Sequence, residues 1–193
     1  MIDLIWIKRK SSLEDFWLKE HLEYVDPRFN VIVVGHTDLK VDKFRYFPFW
    51  ENGLDEKGLI CHKKNIGVQH STKKYCLVLH ADVCPDKNFY NVVETKSPAG
   101  IIAPYGTCSP IQRGLTWCRG AGVHKDPDEA VDKYTYISGA AIFGERELFL
   151  KHKWNESLSH NQGEDVEYSQ RLIKNNVSLS CDKDLVVKMR RFQ

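Results

Sequence analysis

Two residues that could bind a cation or a phosphate lie at the end of a short apolar run. His80 and Asp82 follow Tyr75–Leu79, whose side chains are typical of a buried strand. Residues two apart on an extended chain point to the same side, so the imidazole and the carboxylate could face one site. Open α/β sheets bind ligands beyond the carboxyl ends of their strands. The run therefore predicts a site for a divalent cation or a bound phosphate, although a strand that simply ends in a polar loop has the same pattern.

A second acidic signature, Gly163-Glu164-Asp165, stands at the start of a predicted helix. A carboxylate beside a substrate hydroxyl can act as a general base, and the two adjacent acids offer two candidates. The alternative is local, because acidic residues stabilise the first turn of a helix through its dipole. Both interpretations place Glu164 and Asp165 in the first turn of one helix.

Strands and helices alternate through the first half of the chain. Ile2–Ile7 and Asn30–Gly35 are apolar runs typical of buried strands, and the helical period between them ends near Asp26. This β-α-β opening implies a right-handed parallel crossover. The pattern then predicts a short edge strand at 44–50, a helix at 55–71, the strand at 75–81, a helix at 86–95 and a strand at 100–104.

The second half of the chain is less regular. Residues 105–133 are rich in Gly, Pro, Cys and His, and a segment that long without periodicity is usually functional or mobile. Order returns with a strand at 134–143, helices at 145–152 and 164–175, and short strands at 177–180 and 185–187. Strands that alternate with helices predict an α/β protein, and 193 residues suffice for one domain with a proper core.

Composition and charge exclude several classes of protein. Hydrophobic residues make up 42% of the chain and charged residues 28%, as in ordinary globular proteins. A net charge of +2 is too small to indicate a nucleic-acid groove, and six cysteines without a CxxC pair favour reduced thiols. No run reaches the roughly 18 apolar residues of a membrane span, and no signal peptide precedes the first strand. We therefore expect a cytoplasmic protein with no membrane span and no nucleic-acid partner.

Four short motifs make the chain resemble the GT-A-fold glycosyltransferases, and among them the family 2 inverting enzymes. That family carries, in chain order, an Arg-Asn-x-Gly helix, an Asp-x-Asp strand end, a Gly-Gly acceptor-loop strand and a Glu-Asp helix start. The counterparts here are Lys64-Asn65-Ile66-Gly67, His80-Ala81-Asp82, Ser138-Gly139-Ala140-Ala141 and Glu164-Asp165. The match extends from about Ile2 to Val187, and every motif stands in the expected order.

The resemblance implies a fold and a reaction. The fold is a single α/β GT-A domain (the nucleotide-diphospho-sugar transferase fold) over 1–193, with a mainly parallel central sheet flanked by helices. About 1–104 would bind the nucleotide-sugar, and about 105–193 would hold the acceptor and the catalytic base. The reaction is inverting transfer of a hexose from a nucleoside-diphosphate sugar, expected to be a UDP-sugar, to a hydroxyl of a glycan or glycoconjugate.

The same resemblance implies roles for single residues. Asp165, or alternatively Glu164, is the expected base. Asp82, with or without His80, is expected to hold the Mn2+ or Mg2+ that bridges the two phosphates. Small residues at Ser138–Ala140 would line the sugar and acceptor cleft. The predicted nucleotide-sugar-binding residues are Lys8, Arg9, Asp38, Asn65, His80, Asp82, Gly139 and Lys188.

Three departures from the family pattern concern the donor end of the site. His80 replaces the leading acid of Asp-x-Asp, and a hard cation prefers oxygen ligands. Lys188 replaces a metal-binding His, and together with Arg190 and Arg191 it could neutralise a diphosphate directly and make the metal less necessary. Asp38 is a shifted substitute for the acid that reads uracil.

Two other functions stay open at this point. A sugar nucleotidyltransferase uses a similar sheet, but a Gly-rich phosphate loop would be expected after the first strand, and Trp6–Ser11 contains no glycine. A non-catalytic protein that binds sugar-nucleotide or carbohydrate is kept open by His80. Trp117 and Trp154 could stack on a sugar ring or pack in the core, and the core is favoured for Trp117.

Overall fold

The structure, a computed structural model, describes residues 2–8, 12–40, 44–48, 59–107, 116–120, 122–158 and 162–190. The predicted opening is confirmed, since strand β1 (Ile2–Ile7), helix α1 (Ser12–Tyr24) and strand β2 (Asn30–Gly35) form a β-α-β unit. The two strands are parallel, with Ile5 opposite Ile32. Their carboxyl ends therefore lie at the same edge of the sheet, where ligands bind in folds of this class.

The next elements agree with the predicted alternation, apart from an additional short strand after the one that carries His80. They are β3 (Arg45–Pro48), α2 (Ile60–His70), β4 (Tyr75–His80), β5 (Val83–Pro85), α3 (Phe89–Thr95) and β6 (Ile101–Thr107). The second half adds β7 (Trp117–Arg119), β8 (Val123–His124), β9 (Thr135–Ile137), β10 (Ala141–Glu145), α4 (Arg146–Lys151), α5 (Glu164–Lys174) and β11 (Leu179–Met189). The longest helix, α1, has 13 residues, and no helix in the described ranges has the length and apolar content needed to cross a bilayer.

An eight-stranded sheet with the order β3-β2-β1-β4-β10-β6-β11-β5 forms the centre of the described structure. β3, β2, β1 and β4 run parallel to one another, and β6 runs parallel to β11. β10 is antiparallel to both β4 and β6, and β5 is antiparallel to β11. The predicted α/β class is confirmed, with a sheet that is mixed rather than purely parallel.

The antiparallel direction of β10 follows from the path of the chain between β6 and β10. After β6 the chain forms a small sheet, with the order β8-β7-β9, and then continues into β10 through residues 138–140. A parallel strand would require a long crossover back to the opposite edge of the sheet. Because the chain re-enters from the edge at which it left β6, β10 runs in the opposite direction. The single strand predicted for 134–143 is instead two strands, β9 and β10, which belong to different sheets.

The last strand also differs from its prediction. The sequence pattern predicts two short strands, whereas β11 is one long strand whose register against β6 shifts between Asp182 and Val186. Polar residues interrupt the apolar pattern at this point, but the backbone stays extended through a bulge. Beyond the bulge β11 also pairs with β5, and Lys188 lies opposite Cys84.

Apolar side chains fill both faces of the sheet, and alternate residues of β1 point to opposite faces. Leu4 and Trp6 pack with residues of α1 and α3, whereas Ile5 and Ile7 pack with residues of α2, α4 and α5. Gly67 lies where α2 crosses β1, and a Cβ there would collide with the Ile5 side chain. The glycine therefore allows α2 to lie close to the sheet.

His21, on α1, is a buried histidine that makes stability depend on pH. Its Nε2 lies 2.7 Å from the Tyr90 hydroxyl, and its ring packs edge-on against Trp6. Burial, and to a lesser extent the nearby Arg190, lowers the pKa of His21 from 6.5 to about 3. The unfolded chain binds a proton near its ordinary pKa and the folded protein does not. The stability conferred by neutral His21 is therefore complete above pH 6.5 and is lost as the pH falls towards 3.

We expect the contribution of His21 to the free energy of unfolding to fall by about 1.4 kcal/mol for each pH unit below its ordinary pKa. Urea midpoints measured between about pH 4 and pH 7 test this dependence. The variant His21→Phe keeps an aromatic ring but cannot bind a proton, so its stability should change less with pH than that of the natural protein. Identical pH slopes in the two proteins would contradict the prediction.

Candidate active site

The segment that carries His80 and Asp82 is held between two other strands. The His80 backbone N–H donates to the Ala140 carbonyl at 2.9 Å, and the Ala81 N–H donates to the Ile7 carbonyl at 3.0 Å. These bonds extend the strand pairing beyond the end of β4. Both the His80 and the Asp82 side chains are almost completely buried. The predicted donor end of the site therefore lies at the carboxyl edge of the sheet, between the end of β1 and the start of β10.

The end of β11 comes to the same place. The Arg190 backbone N–H donates to the Asp82 carbonyl at 2.9 Å, which fixes the last residues of β11 beside the predicted donor end. The Lys188 side chain is 63% exposed, and its ammonium lies 2.9 Å from Asp86 Oδ2. Hydrogen bonding to Lys188 and to the Asn88 backbone lowers the pKa of Asp86. Lys188 therefore has a carboxylate partner but remains accessible to a ligand.

The other basic residues of this strand end differ from Lys188. The Arg190 guanidinium is largely buried and lies 2.6 Å from Glu20 Oε2, so it is engaged with α1. A hydrogen bond to Arg190 lowers the pKa of Glu20. Arg191 lies outside the described residues. Among the described members of the proposed basic cluster, Lys188 is the exposed one.

Asp165 reaches the segment 138–140 because α5 is anchored to β9. The Ile137 N–H donates to Ser169 Oγ at 3.0 Å, and Gln170 Nε2 donates to the Thr135 carbonyl at 3.2 Å. With α5 fixed in this way, a Cβ at Gly139 would collide with the Asp165 carboxylate. The predicted base and the predicted sugar-binding glycine are therefore in contact.

Of the two candidate bases, Asp165 is the more accessible. α5 begins after Gly163, which has a φ of 76° and lies in the left-handed region that favours glycine. Glu164, the first helical residue, is buried, whereas the Asp165 side chain is 23% exposed. This difference supports Asp165 as the group that could meet an acceptor.

Lys64 is a functional candidate to which the sequence motif gave no role. Its side chain is 0% exposed, and its ammonium lies 3.6 Å from Asp165 Oδ1 and 5.6 Å from the centre of the Trp154 ring. A Cβ at Gly139 would collide with this ammonium as well. Helical spacing is a signal that could have found it, because Lys64 lies on the same face of α2 as the buried Cys61 and Val68.

Asn65 joins α2 to the segment around Trp154. Its amide donates to the Trp154 carbonyl at 3.0 Å and to Glu156 Oε1 at 2.8 Å, and its carbonyl accepts from the Trp154 N–H at 3.0 Å. These bonds give Asn65 a structural role, because they hold residues 154–156 against α2. Contact of the same amide with a nucleotide stays a prediction.

Both tryptophans belong to the core. Trp154 stacks between Phe149 and Tyr168, with ring centres 5.4 and 4.5 Å away. Trp117, in β7, is buried as favoured from the sequence, and the Lys125 ammonium lies 5.5 Å from the centre of its ring. Neither ring is available to stack on a sugar in this conformation.

At the predicted nucleotide end, Lys8 and Asp38 have different environments. Lys8 follows β1 and is completely buried, with its ammonium 3.1 Å from Asp15 Oδ1. Gly35 lets the end of β2 lie close to the Lys8 backbone, because it has a φ of 139° and a Cβ there would collide with the Lys8 carbonyl. Asp38 follows β2 and is exposed at the same edge of the sheet. Arg9 lies outside the described residues.

The small sheet contains two ionisable side chains on which the charge of Asp165 acts. Cys118 of β7 lies opposite Tyr136 of β9, and its Sγ is 3.7 Å from His124 Nδ1. Burial chiefly raises the pKa of Cys118 to about 11 and that of Tyr136 to about 12, and the Asp165 carboxylate contributes to both shifts. Both groups are therefore protonated near neutral pH.

The side chains at Asp82 fit a cation that binds together with the phosphates of a substrate. Among the described residues no group of three or more His, Cys, Asp or Glu side chains could form a metal cage. Cations bound together with substrate phosphates need only one or two protein carboxylates, because the phosphates and water supply the other ligands. Asp82, with His80 two residues before it, matches that smaller requirement.

Comparisons with known proteins identify the fold. No protein-family model and no curated protein sequence match the chain. Three solved structures that do match, each at 12% sequence identity, are GalNAc-T7 with UDP, GalNAc and Mn2+ (TM-score 0.71), residues 1–349 of S. aureus TarS (0.66), and the mannosyltransferase PcManGT from Pyrobaculum calidifontis with GDP-Man and Mn2+ (0.63). They cover 98%, 97% and 98% of this chain, which spans 43%, 60% and 56% of theirs. The chain therefore has the GT-A fold of these glycosyltransferases.

Proposed function

We propose that this chain is a glycosyltransferase domain that uses a nucleotide-sugar donor. The observation that carries the proposal is the contact between Asp165 and Gly139, in the same segment whose Ala140 carbonyl binds the His80 N–H. An accessible carboxylate and a candidate diphosphate site thereby lie on the two sides of one short segment. Glycosyl transfer requires such a pair, a base for the acceptor and a stabilised leaving group.

In the proposed reaction Asp165 accepts the proton of an acceptor hydroxyl. The acceptor oxygen forms a bond to the anomeric carbon of the donor, while the bond between that carbon and the diphosphate oxygen breaks. The electron pair of the broken bond leaves with the diphosphate, which gains negative charge. Attack opposite to the leaving group inverts the anomeric configuration, and holding the reactants in line is the main contribution of the cleft.

Asp82 and His80 would hold Mn2+ or Mg2+ at the donor end. When bound, such an ion neutralises charge on the leaving diphosphate. Asp82 orients the donor from its buried position, and Lys188, which is exposed, can turn from Asp86 to a phosphate oxygen. Lys188 thereby remains a proposed nucleotide-sugar contact that could reduce the need for the ion.

The donor and the stereochemistry belong to the proposal. A UDP-hexose is our first choice because of the sequence resemblance, and GalNAc-T7 was crystallised with UDP. PcManGT was crystallised with GDP-Man, so a guanosine donor belongs in the same test. A glycan or glycoconjugate hydroxyl is the proposed acceptor.

A non-catalytic sugar-nucleotide-binding protein on the same fold is the second candidate. The observation that favours it is His80 in place of an acid, together with the lack of a three-ligand cation group among the described residues. Such a protein would bind donors without turning them over. Asp165 would then have no effect on any measured rate.

Nucleotide release from a donor panel tests both candidates. The panel contains UDP-glucose, UDP-galactose, UDP-N-acetylglucosamine and GDP-mannose, each with Mn2+ and with EDTA, with and without sugar acceptors. Nucleotide release that disappears in Asp165→Asn supports transfer, and NMR of the product gives the anomeric configuration. Binding without turnover of any donor favours the non-catalytic protein, and pyrophosphate-dependent chemistry favours a nucleotidyltransferase.

A further inference from the structure

We infer that Lys64 is a positioning residue that fixes the orientation of the Asp165 carboxylate, with Gly139 as the spacer that lets the two meet. The inference rests on the proposed function of Asp165 and extends it to a second residue. Lys64 comes from α2, Asp165 from α5 and Gly139 from the segment before β10. Three separate parts of the chain thus converge on one carboxylate.

The burial of Lys64 requires a charged partner. A buried ammonium is strongly unfavourable unless an opposite charge compensates it. Asp165 Oδ1, at 3.6 Å, is the carboxylate oxygen that forms an ion pair with it among the described residues. The Trp154 ring, 5.6 Å away, adds a cation–π contact and bounds the space on one side.

The two carboxylate oxygens of Asp165 have different environments. Oδ1 is buried and makes no hydrogen bond within the described residues, and the same holds for Lys64 Nζ. The side chain as a whole is nevertheless 23% exposed, so its accessible surface lies on other atoms. Lys64 therefore holds one oxygen inward by charge alone, which leaves the other oxygen for an acceptor hydroxyl.

Gly139 explains why the pair can form. A Cβ at this position would overlap both the Lys64 ammonium and the Asp165 carboxylate. Any side chain here would push the pair apart or displace the segment 138–140. The glycine is therefore required by the ion pair, in addition to any contact it makes with a sugar.

Lys63 provides a matched comparison on the same helix. It is 1% exposed, against 0% for Lys64, and its ammonium donates to the Lys8 carbonyl at 3.1 Å. Removing Lys63 also removes a buried cation from α2, but it leaves the Asp165 contact unchanged. A general effect of losing a buried lysine can thus be separated from a specific effect on the base.

The test compares Lys64→Met with Lys63→Met. For Lys64→Met we expect kcat to fall about 100-fold, the loss typical of a misplaced catalytic group, with the donor KM within about threefold of the natural value. Lys63→Met should keep kcat within about threefold even if both variants lose thermal stability. Lys64→Arg should recover part of the loss, because a guanidinium keeps the charge. Gly139→Ala should reproduce the kcat defect without removing either charge.

Crystal structures of the two methionine variants give a readout that does not depend on turnover. In Lys64→Met we expect the Asp165 carboxylate to leave its place beside Gly139, and in Lys63→Met we expect it to stay. An unmoved carboxylate in Lys64→Met, or equal kcat losses in the two variants, would overturn the inference. Failure of the natural protein to turn over any donor would instead refute the proposed function, and the crystallographic comparison would still decide the role of Lys64.

Discussion

The variant Asp165→Asn should lose both activity and stability, for two separable reasons. Loss of the general base should lower kcat by about 10²- to 10⁴-fold. The same change removes the negative partner of the buried Lys64 ammonium. Because Asp165 is partly exposed, we expect a cost near the low end for breaking a buried ion pair, about 3 kcal/mol in the free energy of unfolding.

The double variant Lys64→Met/Asp165→Asn separates the two effects. Removing both charges leaves no uncompensated ammonium, so stability should return towards that of the natural protein, while activity should remain absent. Urea denaturation and nucleotide release, measured on the single and double variants, test the prediction. Recovery of activity in the double variant would show that Asp165 acts only through stability.

The second large effect is expected for Asp82→Asn. Asparagine keeps the size of the side chain but removes the charge that would attract a divalent cation. We expect UDP to bind at least about 30-fold more weakly in the presence of Mn2+, as for other losses of a buried charged contact. In EDTA the affinities of the variant and the natural protein should be similar.

Isothermal titration with UDP measures this difference without any turnover. Asp184→Asn serves as the control, because Asp184 is an exposed aspartate on β11 whose partner is Lys96. The control should keep the full effect of Mn2+ on UDP affinity. If Asp82→Asn keeps it too, the cation binds elsewhere or the donor end relies on Lys188.

The sequence predicts best what depends on neighbouring residues. β1, β2 and β4 are short apolar runs with clear ends, so their positions and the edge at which His80 and Asp82 lie could be predicted. The direction of β10 could not, because the residues on both sides of 138–140 continue the strand-like pattern. Only the path of the chain from β6 through the small sheet decides that direction.

The same limit applies to the candidate site. Asp165 could be proposed from its motif, since Glu-Asp at a helix start is visible in a few residues. Its pairing with Lys64 joins two helices that are far apart in the chain, and no local pattern encodes that contact. Asn65, one residue further, bonds the Trp154 backbone, and this contact also joins segments that are far apart in the chain.

The segment 138–140 has a consequence for the size of the transferred group. Gly139 contacts the base, and the next residue, Ala140, binds the strand end that carries Asp82. The two contacts are made by consecutive residues, whose Cα atoms are about 3.8 Å apart. Under the proposed function, this spacing helps to set the distance between the base and the diphosphate site. Under the proposed function, a residue inserted between Gly139 and Ala140 would change this distance without replacing any reactive side chain. The fit of the sugar would then depend on the length of the backbone in this segment as well as on the side chains of the cleft.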